Sequence, residues 1–355
     1  MEEIPVTGLE ELETHLEVLV EAPDTPLNAK LFDEVELQLT DNNIPPLIPR
    51  LLPKLTQILL TYNEDPTILA SLSTKLLRPI KFTQALTLAS EDALIQALRS
   101  PAPAAAILAI TVIEKATRSP SDTAILSIMK DVVKNFLRTW LSTPHVGVGE
   151  KATQALGDLL EVDCDRRSSA DIDTKMSGLQ LASGMPPGQG LLWRRIFQDR
   201  EIYDLIFSLC SFTTMGSGEG QLDERQKSLA QARLLRVLPR LAVLDFQTIT
   251  RSHFPDVEGR YGIHEHGLLY FAAAEMVNKE EDILMHITLI DFLAEFLEMM
   301  SMTELTKSTM DYLAVLMKQV TESDPTAYKS LESLAVSPDT SPELIDLLVK
   351  LNEYH

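Results

Sequence analysis

Residues 143–164 read TPHVGVGEKATQALGDLLEVDC, and this stretch decides the fold class. It opens on Thr143-Pro144, where proline fixes φ and leads into a helix. Val148, Ala152, Ala155, Leu156, Leu159 and Leu160 then recur at i, i+4, i+7, i+8, i+11 and i+12, which places six apolar residues on one face of an α-helix. Glu150, Gln154, Asp158 and Glu161 face elsewhere. Ala152, Ala155 and Gly157 are small, as suits a helix that another helix approaches closely. A helix apolar on one side needs neighbours of the same kind.

The pattern returns 43 residues upstream, where Ser100-Pro101 replaces Thr143-Pro144 and Ala105, Ala109, Val112, Ile113 and Ala116 replace Val148, Ala152, Ala155, Leu156 and Leu159. A weaker copy starts 35 residues earlier at Asp65-Pro66, with Ala70 and Leu77 in matching places. These spacings bracket the roughly 40-residue period of paired-helix HEAT or armadillo units. A plain helical bundle is the simpler alternative, but turn and stripe recurring together favours repeats.

The 355 residues suffice for two ordinary domains or one long solenoid, and 45% hydrophobic content supplies a core. No run of 18 apolar residues occurs, so no membrane helix is expected. The N-terminal MEEIPVTGLEELE lacks the basic-then-apolar plan of a signal peptide. Two cysteines, Cys164 and Cys210, do not make a disulfide framework, so the expected compartment is the cytoplasm, with the nucleus as a second. Net charge is −21 and uneven: residues 1–25 hold eight acids and no Lys or Arg, while residues 275–355 hold 16 acids and five lysines. Excess acid serves solubility by itself. Its concentration at the ends also suits a partner with a basic surface and disfavours nucleic acid, whose phosphates it repels.

Along the chain, helices are expected over residues 7–21 and 28–39, then from near Pro53 to Tyr62 because Pro45, Pro46, Pro49 and Pro53 interrupt the apolar pattern. Further helices are expected over 66–77, 82–88, 91–98, 102–116 and 121–141. Residues 163–190 break the pattern, which predicts a long polar loop, disordered or functional, whose shortening leaves the fold intact. Residues 211–221 form a second break, with the strongly apolar LLWRRIFQDREIYDLIFSLC between the two. Helices resume over 222–245, 266–277, 281–300, 302–320, 325–334 and 342–351. Strand alternation and hairpin turns are missing. The domain plan is therefore N-terminal helical repeats over 1–162, the polar loop, and C-terminal repeats over 191–355 continuing one solenoid.

No catalytic motif stands up. Gly147-Val148-Gly149-Glu150-Lys151-Ala152 fits G-x-G-x-x-A, but a helix precedes it where a dinucleotide fold needs a strand, so its glycines are expected to serve a tight inter-helix turn. His253, His264 and His266 lie near Asp256 and Glu265 without the spacing of a zinc site. Neither cysteine has a convincing histidine. Arg225, Arg233, Arg236 and Arg240 share one helical face and are expected to be solvated or to pair with acids on the next helix, with an anion patch as the alternative. On the 281–300 helix, Asp291, Glu295 and Glu298 share a narrow strip, and no Lys or Arg occurs between Lys279 and Lys307. No enzyme activity, cofactor or metal is expected.

The block from residues 143–164 through GQGLLWRRIFQDREIYDLIFSLCS (188–211) resembles the HEAT-repeat assembly chaperones of the proteasome regulatory-particle base. That family is known in animals as 26S proteasome non-ATPase regulatory subunit 5, and its fungal members often carry a DNA mismatch-repair label. The resemblance implies an all-α, HEAT/armadillo-like helical-repeat solenoid, curved, that binds the C-terminal domain of an ATPase subunit of the proteasome ring while the 19S base assembles. The residues expected to meet that partner are Asp158, Glu161, Asp291, Glu295 and Glu298. Another helical-repeat adaptor, of nuclear-transport or phosphatase type, and a DNA-repair-associated binding protein are the alternative readings.

Overall fold

The computed structural model describes residues 6–165, 186–212, 222–264 and 266–353. Every regular element among the described residues is helical, as the apolar periodicity requires. Internal contacts divide the chain into two compact units, Met1–Thr139 and Trp140–His355. The division falls inside a helix and ahead of the 163–190 loop, of which residues 166–185 lie outside the described residues, as do 213–221 of the second break.

The first unit runs α1 (Leu9–Glu21), α2 (Ala29–Gln38), α3 (Ile48–Thr61), α4 (Thr67–Leu77), α5 (Phe82–Leu88), α6 (Glu91–Arg99), α7 (Pro103–Glu114) and α8 (Pro120–Ile128), followed by α9 (Lys130–Ser142), which crosses into the second unit. Its core is set by the stripes read above. Leu12, Leu16 and Leu19 of α1 are sealed against α3, and α4 packs on α7, the two helices that the repeat superimposes. Two expectations change. The α3 helix begins at Ile48: Pro49 falls in the first turn, where amides have no intrahelical acceptor to lose, and the helix carries Pro53 inside it at the cost of one i→i−4 bond. The expected helix over 121–141 is two helices, broken at Met129 (φ −76°, ψ 67°), where no glycine or proline marks the sequence.

The second unit continues with α10 (Val146–Asp163), α11 (Leu191–Phe197), α12 (Arg200–Cys210), α13 (Glu224–Thr250), α14 (Pro255–Glu258), α15 (Leu268–Tyr270), α16 (Ile283–Ser301), α17 (Lys307–Ser323), α18 (Pro325–Val336) and α19 (Pro342–Glu353). Here α10 packs on α13 and α13 on α16. Asp245 leaves helical geometry within α13 (φ −149°, ψ 82°) and accepts hydrogen bonds from the amide and hydroxyl of Thr248, so it caps a second helical segment. The expected helix over 266–277 is shorter: α15 lasts one turn and passes into a π-helical turn, Phe271–Glu275.

Polar groups inside the second unit are placed to close loops and cap helices. Asp163, fully buried at the end of α10, accepts from the amides of Leu192 (2.6 Å) and Trp193 (3.1 Å), and its carbonyl accepts from Gly190 (2.8 Å). It therefore caps α11 from across the loop. Gly188 is required there, because a Cβ would overlap the Asp163 backbone. Glu258 is equally buried and accepts from the Tyr203 hydroxyl (2.8 Å), the Ser252 hydroxyl (2.5 Å) and the His253 amide (3.0 Å), tying α12 to α14.

Asp324 caps α18 by accepting from the amides of Thr326 and Ala327, both at 3.0 Å, and faces His286 Nε2 at 2.6 Å and Lys279 Nζ at 3.8 Å. Burial would raise its pKa, but the Ala327 amide, His286 and Lys279 outweigh burial and hold the carboxyl below its ordinary value. A depressed carboxyl stabilises the fold above its unfolded pKa and loses that contribution as pH falls through the folded one. Asp324→Ala is thus expected to cost about 2 kcal/mol at neutral pH, the upper range for a lost helix cap. The deficit should shrink as pH falls below about 4, near the unfolded carboxylate pKa. Urea melts at pH 7 and pH 3 check this, and an equal deficit at both would show that the carboxylate charge is irrelevant.

Candidate partner-binding surfaces

The two groups of acids expected to meet a partner have different fates. Asp158 and Glu161 on α10 both accept from Arg240 Nη2 of α13, at 2.7 and 2.5 Å. Gly157 leaves room for that guanidinium, since a Cβ would overlap Arg240 Nη1. Arg236 reaches Glu150 at 3.0 Å, so the arginine face of α13 pairs with the neighbouring helix. Asp158 and Glu161 are therefore half-exposed members of an internal ion-pair seam, worth little individually to stability.

Arg233 goes deeper. Its Nη1 donates to the carbonyls of Trp140 (2.9 Å), Leu141 (3.1 Å) and Thr143 (2.8 Å), the unpaired carbonyls around the C-terminus of α9. Burial lowers its pKa, and the negative end of the helix compensates by attracting the charge. The guanidinium passes through the space above Gly149, where a Cβ would overlap its Nε and Cζ. Gly147 and Gly149 lie inside α10, so the expectation that they serve a turn is corrected: Gly149 is a slot for Arg233, and Gly147 meets nothing.

Asp291, Glu295 and Glu298 are placed as expected, exposed along α16, with Phe292, Leu293, Phe296 and Leu297 buried behind them. Periodicity did not distinguish the apolar half of the same strip. Ile283, Leu284 and Ile287 stand 70%, 73% and 52% exposed at the start of α16, and Met302 is 62% exposed just beyond its end. Leu284, Ile287, Asp291, Glu295, Glu298 and Met302 advance by three or four residues, so one outer face begins aliphatic and continues acidic. The α13 helix lies between this helix and α10, so the two acidic groups do not form one site.

The histidine group holds structural places. His253 packs against the rings of Phe197 and Tyr203, with Nε2 2.9 Å from the Thr248 carbonyl, and His266 stacks on Tyr270. Glu265 lies outside the described residues. Among the described residues no group of three or more His, Cys, Asp or Glu could hold a metal. Both cysteines are buried, and burial pushes the Cys210 thiol up. No helix among the described residues is long and apolar enough to cross a membrane.

Grooves open on the surface of both units among the described residues. One, about 730 Å³ in the first unit, is lined by residues such as Leu59, Leu60, Leu88, Ala93, Ala105 and Leu108. Another, about 510 Å³ in the second unit, includes Met317, Tyr328, Leu331, Val336, Leu348 and Leu351.

No curated protein matches the chain. Residues 7–157 match the family described as "DNA mismatch repair protein HSM3, N terminal domain". That description is the fungal label of the chaperone family that residues 143–164 and 188–211 resemble. Over residues 7–157 the chain is therefore similar to the HSM3 N-terminal domain family.

Proposed function

We propose that the protein is a non-enzymatic assembly chaperone that binds the C-terminal domain of a proteasomal ATPase subunit during assembly of the 19S regulatory-particle base. The observation that carries this reading is the family match over residues 7–157, found independently of the resemblance in residues 188–211. The outer face of α16 supports it physically, offering aliphatic anchors beside three carboxylates to a folded partner with basic side chains. The mechanism is occlusion. Holding the ATPase domain hides a surface that otherwise docks elsewhere, and release follows when a competitor is bound better.

Affinity purification with mass spectrometry tests the reading. Recovery of proteasomal ATPase subunits, without mature 26S particles, is the expected result, whereas ATPase subunits missing from the eluate would sink it. The family's description favours a second reading, association with DNA repair. A net charge of −21 opposes direct DNA binding, and retention of duplex DNA at low salt would revive it.

The strip on α16 gives its own prediction. Asp291→Lys, Glu295→Lys and Glu298→Lys together should leave helicity intact, because all three side chains are exposed. Capture of the ATPase domain should slow by about tenfold at low salt, since surface charge acts mainly on association rate. The difference should close as salt rises, screening already reaching within about 10 Å at 0.1 M. Surface-binding kinetics at two salt concentrations measure it, and equal low-salt on-rates would return the strip to the solvent.

A further inference from the structure

The cations of the first unit include a group that its acids do not neutralise. Residues 26–139 hold twelve Lys and Arg against eleven Asp and Glu, although the whole chain carries −21. Four of the twelve come together where α4 ends and α7 ends. After α7 the chain makes a 3-10 turn, Lys115–Arg118. From it Arg118 donates Nη1 to the Ile80 carbonyl (3.0 Å) and Nη2 to the Arg78 carbonyl (2.8 Å). This fixes the guanidinium over the C-terminal end of α4, at the turn that also carries the exposed Arg78 and Lys81. A guanidinium has five N–H donors, so donors remain after these two bonds. Lys115, one turn earlier, is only 6% exposed, and its ammonium makes no hydrogen bond among the described residues. It is nevertheless not among the polar atoms sealed from water, so its stem is buried and its tip reaches the surface.

A buried ammonium without an acceptor is costly, and so is a second cation fixed beside it. Burial first, and Arg118 second, lower the Lys115 pKa to about 8, while neighbouring Glu114 acts in the opposite sense. In a chain with 52 acids, supplying one carboxylate to pair with Lys115 or Arg118 would take a single substitution. Arg78, Lys81, Lys115 and Arg118 form no ion pair with a carboxylate among the described residues.

We propose that the α4–α5 turn and the end of α7, through Arg78, Lys81, Lys115 and Arg118, form a binding site for an anionic oxygen group, a carboxylate or a phosphoryl, carried by an acidic segment of a partner protein. The site lies in the first unit and takes a group of opposite sign from the one met by α16, so it stands apart from the ATPase reading. A long polyphosphate is disfavoured by the chain's overall charge, and the adjacent aromatic, Phe82, is fully buried and gives bases nothing to stack on.

The test uses the full chain and four probes: a short glutamate-rich peptide, the same peptide with one phosphoserine, inorganic phosphate, and single-stranded oligothymidine. Lysine acylation at pH 8, read by mass spectrometry, follows Lys115 directly. Either peptide should slow labelling of Lys115, because a bound anion covers the amine and keeps it charged, while labelling of Lys30 stays unchanged. Whichever peptide protects more strongly identifies the preferred oxygen group, and inorganic phosphate should compete with it. In calorimetry, Lys115→Gln with Arg118→Gln should weaken peptide binding by about tenfold or more, the loss typical of charge-assisted hydrogen bonds. Should that pair misfold, Arg78→Gln with Lys81→Gln touches only exposed side chains and should still weaken binding several-fold. Unprotected Lys115 with both peptides, undiminished binding in a folded variant, or protection by oligothymidine alone would each overturn the proposal.

Discussion

Leu156→Asp is expected to lower the melting temperature by roughly 6–12 °C, or to prevent folding of the second unit altogether. Leu156 is 3% exposed at the middle of the α10 stripe, between Ala152 and Leu160, which are sealed as well. A carboxylate introduced there would be buried within the apolar stripe of α10. Such burial costs about 3 kcal/mol or more, even if the group escapes part of the cost by taking up a proton. Leu156→Met keeps the volume and should cost less than about 1.5 kcal/mol, which separates lost burial from any change at the position. Thermal melts of both variants decide it. An aspartate variant that melts with the parent would place Leu156 in solvent and overturn the register from which the repeat is built.

That register was open to reading because α4, α7 and α10 are one-sided helices. Ala109 and Ala152 are both buried where the repeat superimposes them, as are Ala70 and Val148, and α4 does pack on α7. Periodicity reports which face is apolar, but it is blind to a break that keeps the face aligned. The pattern therefore ran on through Met129, where the backbone leaves the helix without a glycine or proline to announce it. It also placed the start of α3 too late, since prolines in the first turns of a helix cost less than prolines further along.

The surface was less legible for a similar reason. Sequence spacing put Asp291, Glu295 and Glu298 on one strip but could not say that Ile283, Leu284 and Ile287 of the same helix lack a neighbour. Asp158 and Glu161 have the same composition and spacing as an exposed acidic face, yet Arg240 lies 82 and 79 positions away from them and holds both. Pairing across that distance is a product of packing α13 on α10, and no local pattern encodes it. Asp163, Arg233, Glu258 and Asp324 escaped for the same cause: each is buried and takes at least one partner from a distant turn.

Gly149→Ala reads out the deepest of these assemblies, because its expected sign is the reverse of the intrinsic one. Alanine in place of glycine inside a helix ordinarily stabilises by about 0.5–1 kcal/mol. Gly147 in the same helix shows this background, since a Cβ there meets nothing within 4 Å, and Gly147→Ala should be neutral or mildly stabilising. At Gly149 the new methyl would occupy the place of Arg233 Nε and Cζ. The guanidinium cannot move aside cheaply, because Nη1 is held by the carbonyls of Trp140, Leu141 and Thr143 within 3.1 Å and the side chain is buried. Displacing it strands both a charge and the carbonyls at the end of α9, a loss of about 2–4 kcal/mol. A double-mutant cycle isolates the cause. In the Arg233→Met background the shorter, uncharged side chain frees the slot, so Gly149→Ala should become no worse than Gly147→Ala. Denaturant melts of the four single and paired variants measure the coupling. If Gly149→Ala alone is as stable as Gly147→Ala, the glycine is a passive helix residue and Arg233 is not confined by it.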